Sequence, residues 1–259
     1  MKRIAFINEK GGTGKTTLAV NTAAWLAANK KLKVLVIDMD SQGHAGKSLG
    51  LDVEGIDAGA YEILSGEADS WRDAVHTTRI KGLNIIPGNK RLAGLAQQLG
   101  TDKVDMGRLK VILEQVERSG EFSAVVMDSP PSLGPLSLNV MAAASDIIVP
   151  VQLTYLALEG CADVVDTISR VRDTFRGEYP RLGLVVATFY RRTRMAHEIL
   201  DTLLKHFKSR LARTVVGYSV KIDEAQSHGL TVFEYAPNSR GAQVLHKLGA
   251  EIFRKVVKH

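Results

Sequence analysis

The chain has 259 residues, 45% of them apolar and 24% charged, and a formal net charge of +6. That is the balance of an ordinary soluble globular protein with ample core. Cys161 is the single cysteine, which excludes an internal disulfide and fits a reducing compartment. No apolar run approaches the ~20 residues of a membrane span. The start, Met1-Lys2-Arg3-Ile4, enters a strand pattern at once and leaves no room for a signal peptide, so a cytoplasmic protein is expected.

The charge is unevenly placed. Residues 181–259 hold 14 Lys and Arg against 6 Asp and Glu, whereas residues 1–180 hold 20 against 22. A basic C-terminal third points to a polyanion partner or to a solvated basic face.

In chain order, the apolar run Ile4-Ala5-Phe6-Ile7 predicts a strand and Leu18 to Ala28 an alanine-rich helix. Between them lies Lys10-Gly11-Gly12-Thr13-Gly14-Lys15-Thr16-Thr17. Strand, glycine-rich loop and helix in that order form a phosphate cradle, because backbone N–H groups and the helix dipole both favour negative charge there. Lys15 is placed to reach the β- and γ-phosphates of a nucleotide, and the Thr16 hydroxyl to ligate Mg²⁺. The common spacing G-x-x-x-x-G-K-[ST] does not fit, since Glu9 stands where its first glycine belongs. The loop carries a second lysine, Lys10, instead.

Further strands are predicted at Val34–Ile37, Leu83–Ile86, Ala124–Met127, Ile147–Val151 and Leu184–Ala187. Helices are predicted at Met106–Arg118, Leu158–Arg172 and Ala196–Phe207. Short apolar strands alternating with helices predict an α/β fold: a mostly parallel, doubly wound sheet with helices on both faces, in a single domain spanning 1–259. Ligands of such sheets bind at the carboxyl ends of strands, where the phosphate loop, Asp38 and Asp128 all fall. Asp38 opens Asp38-Met39-Asp40-Ser41-Gln42-Gly43. Asp128 opens Asp128-Ser129-Pro130-Pro131-Ser132 and reads as a magnesium-holding carboxylate.

These boxes resemble the deviant Walker A ATPases of the ParA/MinD family, a SIMIBI-type group of P-loop NTPases, and ParA/Soj-like partitioning proteins most of all. The resemblance also covers Val149-Pro150-Val151-Gln152 with Ala157-Leu158-Glu159-Gly160, and Val220-Lys221-Ile222-Asp223-Glu224-Ala225 with Gly229. It runs from Arg3 to nearly the C-terminus, and only Leu51 to Asp105 is generic. It implies ATP and Mg²⁺ as cofactors, with Gly11, Gly12, Thr13, Gly14, Lys15, Thr16 and Thr17 binding nucleotide. Thr16, Asp38 and Asp128 would serve the metal, and Asp40 would orient the attacking water. Lys10 would cross to the nucleotide of a second subunit in an ATP-state homodimer. The sequence departs from the family at Ser41, where proline is usual, and at Val216-Gly217-Tyr218-Ser219, which replaces an I-P-R element.

ParA-like relatives bind DNA non-specifically as ATP dimers, and a ParB-like partner stimulates slow hydrolysis and releases them. The resemblance therefore implies a nucleoid-associated positioning ATPase. Its DNA contacts would come from Arg191, Arg192, Arg194, Lys205, Lys208, Arg213, Lys221 and Arg240. Arg191 and Arg192 could instead cap the nucleotide. The alternative is a MinD-like membrane switch, because Leu245, Leu248, Ile252 and Val256 form a stripe at helical spacing among basic residues. A closing helix packed on the sheet is the preferred reading of that stripe. A metabolic ATP-dependent enzyme on the same fold would need a substrate pocket that no motif marks. His44, His197, His228 and His246 lack metal-ligand spacing.

Overall fold

The computed structural model describes residues 1–100, 103–154, 157–177, 179–190 and 193–258. The apolar runs form strands β1 (Lys2–Phe6), β2 (Val34–Asp38), β4 (Leu83–Ile86), β5 (Ala124–Asp128), β6 (Asp146–Gln152) and β7 (Arg181–Tyr190). Two short strands, β3 (His76–Thr77) and β8 (Val216–Gly217), complete the set among the described residues. The sheet order is β3-β4-β2-β5-β1-β6-β7-β8, and every pairing except β3 with β4 is parallel.

The helices are α1 (Lys15–Lys30), α2 (His44–Ser48), α3 (Ala60–Ser65), α4 (Arg91–Gln98), α5 (Lys103–Met106), α6 (Arg108–Ser119) and α7 (Pro135–Ala143). They continue as α8 (Ala157–Phe175), α9 (Arg194–Phe207), α10 (Val220–Ser227), α11 (Val232–Tyr235) and α12 (Arg240–Ile252). Alternate strand residues feed two separate cores, as a sheet covered on both faces requires. Ile4, Phe6, Val34, Val36, Val126 and Ile148 pack with α1 and α10–α12. Ala5, Leu35, Ile37, Val125, Met127, Ile147 and Val149 pack under helices of the α3–α9 series, with Leu92, Leu113, Val140 and Val164. Cys161 lies in this second core, where burial pushes its thiol up to about 12 and leaves it unreactive at neutral pH.

The predicted helix Met106–Arg118 divides at Gly107 into α5 and α6. Asn139 of α7 spans the break, accepting from the Leu109 N–H and donating to the Asp105 carbonyl. The generic stretch after Leu51 holds α3, α4, β3 and β4.

The C-terminal stripe is spent inside the fold. Leu245, Leu248, Ile252 and Val256 are all buried in the α1-side core. Glu251 is also buried and accepts hydrogen bonds from the Arg213 and Thr214 amides and the Thr214 hydroxyl, with Lys255 3.1 Å away. These partners hold the Glu251 carboxyl below its ordinary value although burial pushes it up. Detaching this helix would expose a core stripe and an anchored carboxylate, as expected of a closing helix rather than of a membrane anchor. Among the described residues no helix is long and apolar enough to cross a membrane.

Candidate functional site: a phosphate loop facing three carboxylates

Strand register brings the sequence boxes together. Asp38 at the end of β2 is the Cα partner of Asp128 at the end of β5, which in turn pairs with Phe6 at the end of β1. The glycine loop leaves β1 immediately afterwards. Gly12 and Gly14 have φ of +72° and +89°, a left-handed conformation that glycine adopts without a Cβ penalty. Gly14 also begins α1. That helix carries no side-chain cap and no acidic residue in its first turn, whereas α9, α11 and α12 are capped by Thr193, Thr231 and Ser239. The first amides of α1 are thus left for an external anion.

Two buried residues outside the predicted set hold the loop. Asn8 donates to the Pro150 carbonyl at 2.6 Å and accepts from the Lys10 N–H at 2.9 Å. Thr188, near the end of β7, donates to the Thr13 carbonyl at 3.0 Å. The only sequence signal for either was its place beside a loop or at a strand end.

The two lysines of the loop occupy different environments. Lys15 is 7% exposed and its ammonium donates to the Lys10 carbonyl at 3.2 Å. Burial lowers its pKa, while Asp128 and Asp40 favour its charged form. Lys10 is exposed, and its ammonium approaches only the Thr154 hydroxyl, at 3.4 Å, among the described residues.

Asp38 anchors the loop that follows it. One carboxylate oxygen accepts the Asp40 N–H at 3.0 Å and the other the Ala45 N–H at 2.9 Å. Asp40 in turn accepts the Gln42 N–H. These bonds fix a turn that Ser41 leaves without a proline ring. The same two bonds make Asp38 the anchor of Asp40, in addition to the supporting place in a magnesium shell expected of it. Burial, opposed by those amide bonds, pushes Asp38 up to about 7.

Asp128 is fully buried, and among the described residues neither carboxylate oxygen has a hydrogen-bond partner. Burial and the neighbouring Asp38 raise its pKa well above the ordinary value, while the Thr16 hydroxyl and Lys15 oppose the shift. An orphaned buried carboxylate beside a threonine hydroxyl suits a divalent cation, which would remove the penalty of burying the charge. No cluster of three or more metal-ligating side chains occurs among the described residues. A magnesium ion here would therefore take Thr16, Asp128, waters and substrate phosphates, the sparse protein shell that Mg²⁺ prefers.

A raised acid pKa means that the folded state holds its proton more tightly than the unfolded chain. Stability of the ligand-free protein then falls as pH rises from about 4, and the penalty from Asp38 is fully present above about 7. Asp128→Asn removes one of the two buried charges. It should raise the melting temperature of the ligand-free protein at pH 8 by about 2–6 °C, flatten the decline with pH and abolish magnesium-dependent ATP turnover. Calorimetry across pH 5–8 and a phosphate-release assay check both parts.

The loop and Asp40 line a cleft of about 700 Å³ that also includes Gln42, His44, Lys47, Pro131, Phe189, Asp223 and Gln226. Phe189, Asp223 and Gln226 were not predicted. The basic set divides. Arg194 starts α9, Lys221 lies in the first turn of α10 and Arg240 starts α12, all at the carboxyl edge of the sheet. Lys205 lies ~16 Å further along α9 and Lys208 directly after its end, while Arg213 neighbours the foot of α12, all at the opposite edge. The six described residues therefore do not form one patch. Arg194 pairs with Glu198 and Lys221 with Glu224. Arg191 and Arg192 lie outside the described residues.

A family model described as an AAA domain matches residues 1–179. The chain is 36% identical to the chromosome-partitioning ATPase Soj of Thermus thermophilus, covering 99% of this chain and 97% of that protein. It is 35% identical to the sporulation initiation inhibitor protein Soj of Bacillus subtilis, covering 97% and 98%. A solved structure of Mycobacterium smegmatis cobyrinic acid a,c-diamide synthase with bound ADP and magnesium superimposes with a TM-score of 0.82. It is 28% identical and covers 98% of this chain and 95% of the other. Deviant loop, parallel sheet and near-full-length likeness agree: the chain belongs to the ParA/MinD family of P-loop ATPases.

Proposed function

We propose that this chain is a Mg-ATP-dependent positioning switch acting as one domain over residues 1–259. In the ATP state two copies pair face to face and bind duplex DNA without sequence preference. Slow hydrolysis, stimulated by a ParB-like or adaptor protein, then releases them. The cargo is a plasmid, a chromosome or a protein assembly moved over the nucleoid. The observation that carries this reading is the division of labour between the loop lysines. Lys15 is sunk among carboxylates where one nucleotide's phosphates would lie, while Lys10 stands exposed at the rim. A cation held out of its own cleft is placed to serve another.

The chemistry asked of the residues is modest. Phosphoryl transfer needs positioning and charge neutralisation. The amides from Gly11 to Thr17 and the Lys15 ammonium hold the phosphates. Asp40, kept in place by Asp38, orients a water in line with the γ-phosphorus. The water oxygen bonds to phosphorus as the bond to the β–γ bridging oxygen breaks, giving ADP and phosphate. Magnesium held by Thr16 and Asp128 would supply charge neutralisation at the phosphates. Next to the loop, Leu18, Phe189, Val216 and Ile222 wall an apolar slot suited to the base. It now offers about 20 Å³, roughly the room of one water, so the Phe189 ring must swing aside for a base. Phe189 holds φ +51°, a strained state for a bulky side chain.

The two Soj relatives, at 36% and 35% identity, support a partitioning role over the metabolic one named for the 28% identical synthase. The basic C-terminal third supports a DNA surface, drawn from the carboxyl-edge group (Arg194, Lys221, Arg240), the opposite-edge group (Lys205, Lys208, Arg213) or both. Binding to a random-sequence duplex, with anionic liposomes in parallel, tests the reading. With Mg-ATP the protein should bind the duplex at least about tenfold more tightly than with ADP, and affinity should fall steeply with salt. Lipid binding that is lost on truncation after Ala250, with no DNA binding, would overturn it.

A further inference from the structure

The cleft carries one acidic group that the phosphate chemistry does not use. Asp223 is exposed, and no hydrogen bond or ion pair engages its carboxylate among the described residues. It lines both the phosphate cleft and the apolar slot; Gly14, Thr17 and Phe189 do so too. These four residues mark the junction of the two spaces. A nucleotide runs phosphate, ribose, base in covalent order. With phosphates on the loop and the base at the slot, the sugar lies at the junction.

The mounting of Asp223 is firm. Ile222 and Ala225 bury one side of α10. One turn on from Asp223, on the same face, Gln226 donates to the Thr17 hydroxyl at 3.0 Å and ties α10 to the phosphate-loop helix. The next segment is tied as well, since the Val232 N–H donates to Asn21 of α1 at 3.1 Å. Asp223 therefore faces the junction from a helix fixed to the loop itself.

A carboxylate beside a triphosphate is repulsive unless it meets donors. It accepts only, and the groups of a nucleotide that donate at this point are the ribose hydroxyls. An acidic residue reading a ribose 2′-hydroxyl is a recurrent solution in nucleotide sites on parallel sheets. Resting on the nucleotide reading above, we propose that Asp223 is the ribose reader of this site. Its carboxylate accepts from the ribose 2′-hydroxyl and makes the protein selective for ribonucleoside over 2′-deoxyribonucleoside triphosphates. The competing account gives Asp223 only a helical role, as an acid in the first turn of α10.

Calorimetric titration of ATP and 2′-deoxy-ATP, each with Mg²⁺, separates the accounts. The wild type should bind ATP about tenfold more tightly than 2′-deoxy-ATP. Asp223→Ala should bind both with the wild-type affinity for 2′-deoxy-ATP. Asp223→Asn, which keeps one acceptor oxygen, should recover part of the preference. Equal wild-type affinities would overturn the ribose role and leave the nucleotide reading standing. Equal weakening of both ligands in Asp223→Ala would assign the residue to helix stability alone. A wild type that binds neither ligand would overturn the nucleotide reading, and this proposal with it.

Discussion

Lys15→Ala is expected to leave the protein folded and to lower ATP turnover by at least about a hundredfold. Lys15 is a buried ammonium with no carboxylate salt bridge among the described residues; its direct hydrogen bond goes to the Lys10 carbonyl. Burial lowers its pKa, so the ligand-free site bears a cost for holding the charge. Removing it spares that cost, and the melting temperature should move by only a few degrees. The loss falls on substrate instead. Without Lys15, the phosphates of ATP would face Asp40 and Asp128 with no buried cation between them, so affinity for ATP should fall together with turnover. Phosphate release and nucleotide titration of the folded variant give both quantities. Turnover within about threefold of wild type would remove Lys15 from the chemistry.

Lys10→Ala carries the second large effect, and its pattern differs. Lys10 is exposed and, among the described residues, its ammonium touches only a threonine hydroxyl. Its loss should leave the affinity of a single subunit for ATP nearly unchanged, within about threefold. Hydrolysis should fall by at least about tenfold if, as proposed, Lys10 brings charge to the transferring phosphoryl group of the other subunit. Retained binding with lost turnover is the signature of a group that acts in the transition state. A full rate in this variant would show that Lys10 is a surface lysine and nothing more.

The separate fates of the two lysines show what was legible in sequence. The loop, Asp38, Asp40 and Asp128 were readable because each directly follows a short apolar run, and a parallel sheet gathers the carboxyl ends of its strands. Register then makes Asp38 and Asp128 neighbours. Spacing reveals that the Asp38 carboxylate is near the loop, not what it bonds. Its anchoring of the Asp40 and Ala45 amides depends on the turn geometry around Gly43, where φ is +62°.

Asn8 and Thr188 escaped notice for a related reason. Their bonds run to backbone carbonyls, which any sequence supplies. Asp223 and Phe189 come from elements far along the chain whose approach to Gly14 is a matter of helix packing. The basic residues were grouped by nearness in sequence. The length of α9 separates Arg194 from Lys205 and Lys208, so a run of charges along the chain became two edges of the sheet. The C-terminal stripe at Leu245, Leu248, Ile252 and Val256 was legible as a helix face. Whether it met lipid or core depended on the partners of Glu251, which lie near residue 213.

The proposed switch requires that ATP assemble two copies around their nucleotides. Sedimentation of Asp40→Ala, which should bind ATP without consuming it, tests this most directly when run with Mg-ATP, with ADP, and together with Lys10→Ala. The predicted result is a doubling of mass with Mg-ATP, a 28.2 kDa monomer with ADP, and loss of the dimer in the double variant. A monomer in all three conditions, with ATP shown to be bound, would contradict the switch.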